Sequence, residues 1–146
     1  GIDGQHAYFQ LLHQGMHTVP VDFIGVQTED TPLPMAATHN AVVNLNLRAQ
    51  AQAMAEGRSV DATRALLQKD GMAGPELDAM AQHRSFAGNI PSSILWLDQL
   101  DPARLGALIA LYEHKVFTQA AIWRINAFDQ WGVELCKTMA KAMEKQ

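Results

Sequence analysis

The sequence predicts a mostly helical α/β fold, and three observations predict it. An alanine-rich stretch from Ala36 to Glu56 runs to a stop at Gly57, as a long helix does. Asp101 and Pro102 then open a run with apolar residues at 105, 108, 109, 112, 116 and 117, the spacing of one helical face. Only two segments, by contrast, are short and rich in Val, Ile and Phe. Two strands are too few for a self-sufficient sheet, so further strands are expected from sequence outside this chain.

The elements follow in order. "QHAYFQLLHQ" sets Tyr8, Leu11 and Leu12 at helical spacing before Gly15, which predicts a short helix from about Gln5 to Gln14 with a glycine C-cap. "TVPVDFIGV" alternates Val19, Val21 and Phe23 before Val26 and reads as a strand. "QTEDTPLPM" holds two prolines and no period, so it reads as a loop. The 36–56 helix carries Val42, Leu45, Leu47 and Met54 on its apolar stripe. Ser59 or Asp61 caps a short helix bearing Leu66 and Leu67, and Pro75 sits at the first position of another. After the "GNIP" turn, Ile94 to Leu97 forms the second strand. Asp101 caps the most regular helix, of about 24 residues by its apolar period. A last helix follows Asp129 as N-cap and ends among Lys141 and Lys145, where cations suit the dipole.

Bulk properties limit the function. The 146 residues are 48% hydrophobic and 18% charged, which fits one globular domain with a sizeable core. Eleven basic against fifteen acidic residues give a net charge of -4, with no basic face for nucleic acid. The longest apolar run, Leu105 to Tyr112, falls far short of a membrane span. The start "GIDGQHAYFQ" has no secretion-signal pattern and reads as the middle of a protein. A single cysteine, Cys136, cannot form an internal disulfide, and a cytoplasmic location is expected.

Among six histidines, His13 and His17 are four apart, a spacing that helical zinc ligands use, but Gly15 interrupts them and no third ligand stands nearby. His39, His83 and His114 read as lone surface or hydrogen-bonded residues. His6 differs, because "GIDGQH" holds it beside a turn at a helix start, where a ring can face a cleft. In "FDQWGVELCK", seven residues at about 100° each bring Lys137 to within about 20° of Gln130, on one helical face. On geometry alone, an exposed Lys137 paired with Glu134 remains the simpler reading. Cys136 reads as a small buried residue. No phosphate loop, nucleophile elbow or carboxylate pair is present.

Taken together, the segments change these odds. "GIDGQHAYFQLLHQG" resembles the Gly-x-x-Gly-Gln-His segment of the glucose-6-phosphate isomerase (phosphoglucose isomerase) family. "LGALIALYEHKVFTQAAIWRINAFDQWGVELCK" resembles its C-terminal signature, whose most specific part is Phe-Asp-Gln-x-Gly-Val-Glu-x-x-Lys. "HRSFAGNIPSSIL" and "VPVDFIGV" resemble its Gly-Asn-x-Pro stretch and the strand after the histidine. The resemblance implies the C-terminal part of a sugar-isomerase (SIS-type) domain with few parallel strands: residues 1–100 would end the second such domain, and 101–146 would be C-terminal helices.

The resemblance further implies an aldose–ketose isomerase interconverting glucose 6-phosphate and fructose 6-phosphate in glycolysis and gluconeogenesis, with no metal or other cofactor. The catalytic residues carried over are His6 and Lys137, for ring opening, and Gln130 binds substrate. His6 would reach the neighbouring subunit's site in a homodimer, with a sugar phosphate as ligand and neither nucleic acid nor membrane as partner. The enediol base, a glutamate, and the phosphate-binding Ser/Thr loop belong to sequence upstream, so the chain is expected to be a fragment inactive alone. The alternative is a non-catalytic sugar-phosphate-binding or oligomerisation module of the same lineage. Three positions depart from the family, which usually has glycine at Arg124 and Cys136 and a basic residue at Ile90.

Overall fold

A computed structural model describes residues 2–144, which fall into two units that divide between Leu100 and Asp101. In the first, α1 (Ile2–Gln5) and α2 (Phe9–Gln14) precede β1 (Val21–Thr28). There follow α3 (Ala36–Glu56), α4 (Val60–Lys69), α5 (Gly74–His83) and β2 (Ser92–Gln99). The second holds α6 (Pro102–Trp123) and α7 (Trp131–Met143). The architecture is therefore mostly helical with a two-stranded sheet, as the patterning predicts.

β1 and β2 pair in parallel, in register from Val21 with Ser92 to Thr28 with Gln99. A parallel pair needs a crossover, supplied here by α3, α4 and α5. The strands run from Val21 and from Ser92, displaced from the expected 19–26 and longer than the expected 94–97, because the ladder extends into flanking polar residues whose side chains face water. α3 packs on one face of the sheet. Phe9, Phe23, Leu47, Ala51, Met54 and Ile90 form the core there, with Leu12, Val21 and Trp96 at its edge. Met54 is completely buried, a contribution of about 2 kcal/mol. Val42 and Leu45, expected on the same stripe, are half exposed or more. Ile24, on the opposite face of β1, is 43% exposed. That leaves one side of the sheet uncovered, although parallel strands generally bury both.

The end of α3 is joined to the loop before β2 mainly through backbone, with the Arg58 guanidinium donating to the Arg84 carbonyl at 3.0 Å and lying over the Phe86 ring. The Asn89 and Ile90 amides donate to the carbonyls of Ala55 and Met54 at 2.9 and 3.0 Å, and Arg58 and Phe86 exchange two bonds of 2.9 Å. Such partners satisfy carbonyls that a helix end leaves unpaired. The approach requires glycine on both sides, since Gly57 and Gly88 have φ of 63° and 69°. A Cβ on Gly57 would overlap the Gly88 nitrogen, and one on Gly88 would lie 2.6 Å from the Glu56 carbonyl carbon. Ile90, where a basic residue is the family habit, points into the core at 8% exposure.

α4 and α5 form a hairpin around Leu67, Leu77 and Ala81. Of the two cap candidates, Ser59 serves, its Oγ accepting from the Ala62 amide at 3.2 Å. Pro75 occupies the second helical position, because α5 begins at Gly74 with Ala73 as N-cap. Arg64 bridges Asp61 and Asp78 at 2.7 and 2.9 Å, an exposed network that solvent screening leaves with little weight in stability.

In the second unit, Asp101 caps α6 by accepting from the Arg104 amide at 2.7 Å. α6 has 22 residues and stops at Arg124, whose φ of 58° is left-handed. Arg124 donates to Ala121 O and Ile125 to Ala120 O, the Schellman pattern, in which the left-handed position favours glycine. The family's glycine at 124 thus has a conformational reason, and this chain carries arginine there at a cost of about 1 kcal/mol. Ala120 is the one buried residue of the unit among those described. Cys136 is exposed and not buried as expected, because α7 presents its small and apolar residues without a covering element in this unit. Lys141 stands in the last turn of α7; Lys145 lies outside the described residues.

Candidate active site

The histidine segment is built differently from the single 5–14 helix expected. Ala7 and Tyr8 amides both donate to Gly4 O, at 3.1 and 3.0 Å, and this turn divides α1 from α2. Gly4 leaves room for the Tyr8 phenol, which would come within 2.5 Å of a Cβ there. His6 lies in the turn itself, exposed, and is displayed by it instead of being fixed on a helical face. α2 is anchored at its far end, where Gln14 Nε2 donates to the His83 and Ser85 carbonyls at 3.0 and 2.9 Å.

The remaining histidine pair is separated. His13 packs edge-on against Phe86 with ring centroids 5.5 Å apart, its Nδ1 buried without a partner. Gly15 ends α2, and His17 stands exposed in the bend beyond it. Among the described residues, no group of three or more His, Cys, Asp or Glu could hold a metal ion.

Gln130 and Lys137 share the last element of the second unit, but not as an ideal helical face. The N-cap of α7 is Gln130 and not Asp129, with φ -139° and ψ 38°. The first turn closes on its carbonyl, which accepts from the Glu134 amide at 3.0 Å. Gln130 therefore leaves the helical path, and the 20° alignment expected from seven helical steps does not describe it. Its side chain makes no capping bond and stands exposed, as does Lys137 two turns on, about 10 Å along the axis. No ion pair joins Lys137 to Glu134 among the described residues, so the simpler reading of Lys137 as half of a surface pair is not what the structure holds. The amide and the ammonium are both available to a ligand.

What delivers Gln130 is the connection from α6. After the left-handed stop at Arg124, Asn126 Oδ1 accepts the Phe128 amide at 2.9 Å, an Asx turn. Apolar patterning does not single out Asn126; its signal in the sequence is an asparagine just beyond a helix end.

Residues 1–146 match the family model for phosphoglucose isomerase over their whole length. The chain belongs to the phosphoglucose isomerase family. A glucose-6-phosphate isomerase 1 of Chromobacterium violaceum is 48% identical over 146 residues, covering all of this chain and 26% of that protein. A glucose-6-phosphate isomerase of Helicobacter acinonychis is 49% identical over 140 residues, or 96% of this chain and 25% of that one. Among solved structures, a glucose-6-phosphate isomerase from Chlamydia trachomatis superposes with a TM-score of 0.70 at 38% identity, over 99% of this chain and 25% of that chain. The chain thus spans about a quarter of the length of the phosphoglucose isomerases it matches. No described helix is long and apolar enough to cross a membrane.

Proposed function

We propose that this chain is the C-terminal portion of a glucose-6-phosphate isomerase, with residues 1–100 ending its second sugar-isomerase domain and 101–146 forming its C-terminal helices. The observation that carries the reading is the signature "FDQWGVELCK" on and before α7, with Gln130 and Lys137 both exposed and, among the described residues, without a side-chain partner. The reaction interconverts glucose 6-phosphate and fructose 6-phosphate in the cytoplasm, within glycolysis and gluconeogenesis.

The residue types suit the chemistry. Opening the cyclic hemiacetal needs a proton delivered to the ring oxygen and another removed from the anomeric hydroxyl, work for an imidazole and an ammonium group. His6 and Lys137 take these roles, and Gln130 orients the sugar through its amide. The C1–C2 proton transfer through the enediol falls to a glutamate upstream of His6, in sequence that also supplies the phosphate loop. His6 serves the site of the neighbouring protomer, and the enzyme is a homodimer.

Steady-state turnover of fructose 6-phosphate by the full-length enzyme tests the roles. His6→Ala and Lys137→Ala each lower kcat by about 100-fold or more. Mixing the two inactive variants as subunits restores about a quarter of wild-type activity, since half the dimers are mixed and each has one complete site. If the unsubstituted full-length protein does not turn over fructose 6-phosphate, the non-catalytic sugar-phosphate-binding or oligomerisation module is the correct reading; if both variants turn over normally, His6 and Lys137 are not catalytic. If the mixture stays inactive, the shared site is wrong.

A further inference from the structure

We infer that Asn126 is a positioning residue for this isomerase site, acting through Gln130. The inference rests on the proposed role of Gln130 and adds to it the element that fixes where that amide stands.

Gln130 has no local anchor of its own. It is exposed, off the helical path, and its side chain makes no cap bond to the α7 amides. Asp129, the one side chain in sequence suited to cap the helix, does not do so. The backbone leading to Gln130 is instead set by two devices in series. The Arg124 and Ile125 amides close α6 by donating hydrogen bonds to the Ala121 and Ala120 carbonyls at 3.3 and 3.0 Å, which fixes where the chain leaves the helix. Asn126 Oδ1 then takes the Phe128 amide at 2.9 Å, which fixes the direction in which it turns. Between Phe128 and the carbonyl of Gln130 no further side-chain bond intervenes among the described residues. The Asx turn is therefore the last constraint before the substrate-orienting amide. Side-chain acceptors of this kind compete well with backbone partners only in Asn and Asp, whose carbonyl sits one carbon from the backbone. Displacement of an orienting group by about 1 Å can cost up to about 100-fold in rate.

The test uses the full-length enzyme and fructose 6-phosphate turnover. Asn126→Ala lowers kcat/KM by about 10-fold, and Asn126→Asp, which keeps an oxygen acceptor at the same reach, recovers it to within about twofold. Asn126→Gln, which keeps the amide but moves it one methylene outward, behaves as the alanine variant. In the Gln130→Ala background, Asn126→Ala adds no further loss, because its effect runs through the missing amide. Full activity in Asn126→Ala, failure of the aspartate to recover it, or multiplicative losses in the double variant would each overturn the inference. A silent Gln130→Ala overturns the role of Gln130 and the inference with it. A lossy Gln130→Ala beside a silent Asn126→Ala overturns the inference alone.

Discussion

The two units of this chain solve the burial problem in opposite ways. Residues 1–100 close two cores, one between α3 and the sheet and one inside the α4–α5 hairpin. Residues 101–146 bury Ala120 alone among those described, while Trp123, Phe128, Trp131 and Leu135 are each 60% exposed or more. Both are rich in apolar side chains, so composition does not distinguish them. The difference lies in whether the apolar groups of a segment meet one another within the segment. In the first unit helices fold back on a sheet and on each other; in the second, α6 and α7 present broad apolar faces without mutual closure. The candidate site residues fall on both, and they are held by different means: His6 by a turn anchored to a packed unit, Gln130 and Lys137 by local helix and loop geometry.

Substitutions in the chain can break or sharpen this contrast, and urea unfolding reads them. Gly57→Ala has the largest effect, about 4 kcal/mol of destabilisation, since it adds both a left-handed penalty and an overlap with the backbone at Gly88. A cost under about 1 kcal/mol would mean that the seam between α3 and the Gly-Asn-x-Pro loop is not rigid. Met54→Ala follows at about 3 kcal/mol from the cavity it leaves. Arg124→Gly moves the other way. Relief of the left-handed strain exceeds the extra chain entropy of glycine by about 0.5 kcal/mol, raising the urea midpoint of the second unit. Leu135→Ala is smallest, within about 0.5 kcal/mol, because the residue is already 60% exposed. A large loss there would show that the second unit has a core after all.

Much of the first unit was legible in the sequence because its signals are local and agree with one another. Ser59 and Gly57 there, like Asp101 at the start of the second unit, mark helix ends by side-chain or backbone chemistry that needs no knowledge of the fold. The errors arose where one residue offered two local solutions. Asp129 is a better N-cap than Gln130 by type, yet the Asx turn at Asn126 carries the chain past it before the helix begins. The helix expected over 5–14 breaks at Tyr8, whose φ of -137° and ψ of -2° leave the helical region. The apolar helix around Cys136 suggests burial, but burial depends on what lies opposite, and that is not a property of the helix. Of the site, the residue types and their family spacing were visible; the non-helical position of Gln130 and the left-handed turn at Arg124 were not.

The parallel pairing of β1 with β2 also governs the order in which this chain can assemble. The α4–α5 hairpin and each capped helix close over short sequence distances and form early. The strands meet only after the whole of α3, α4 and α5 has been looped out, which defers the sheet, and the Ile90 side of its core, to the final steps. Until then the Val-, Ile- and Phe-rich edge of β1 is unpaired, and the later the strands pair, the longer this chain is open to aggregation.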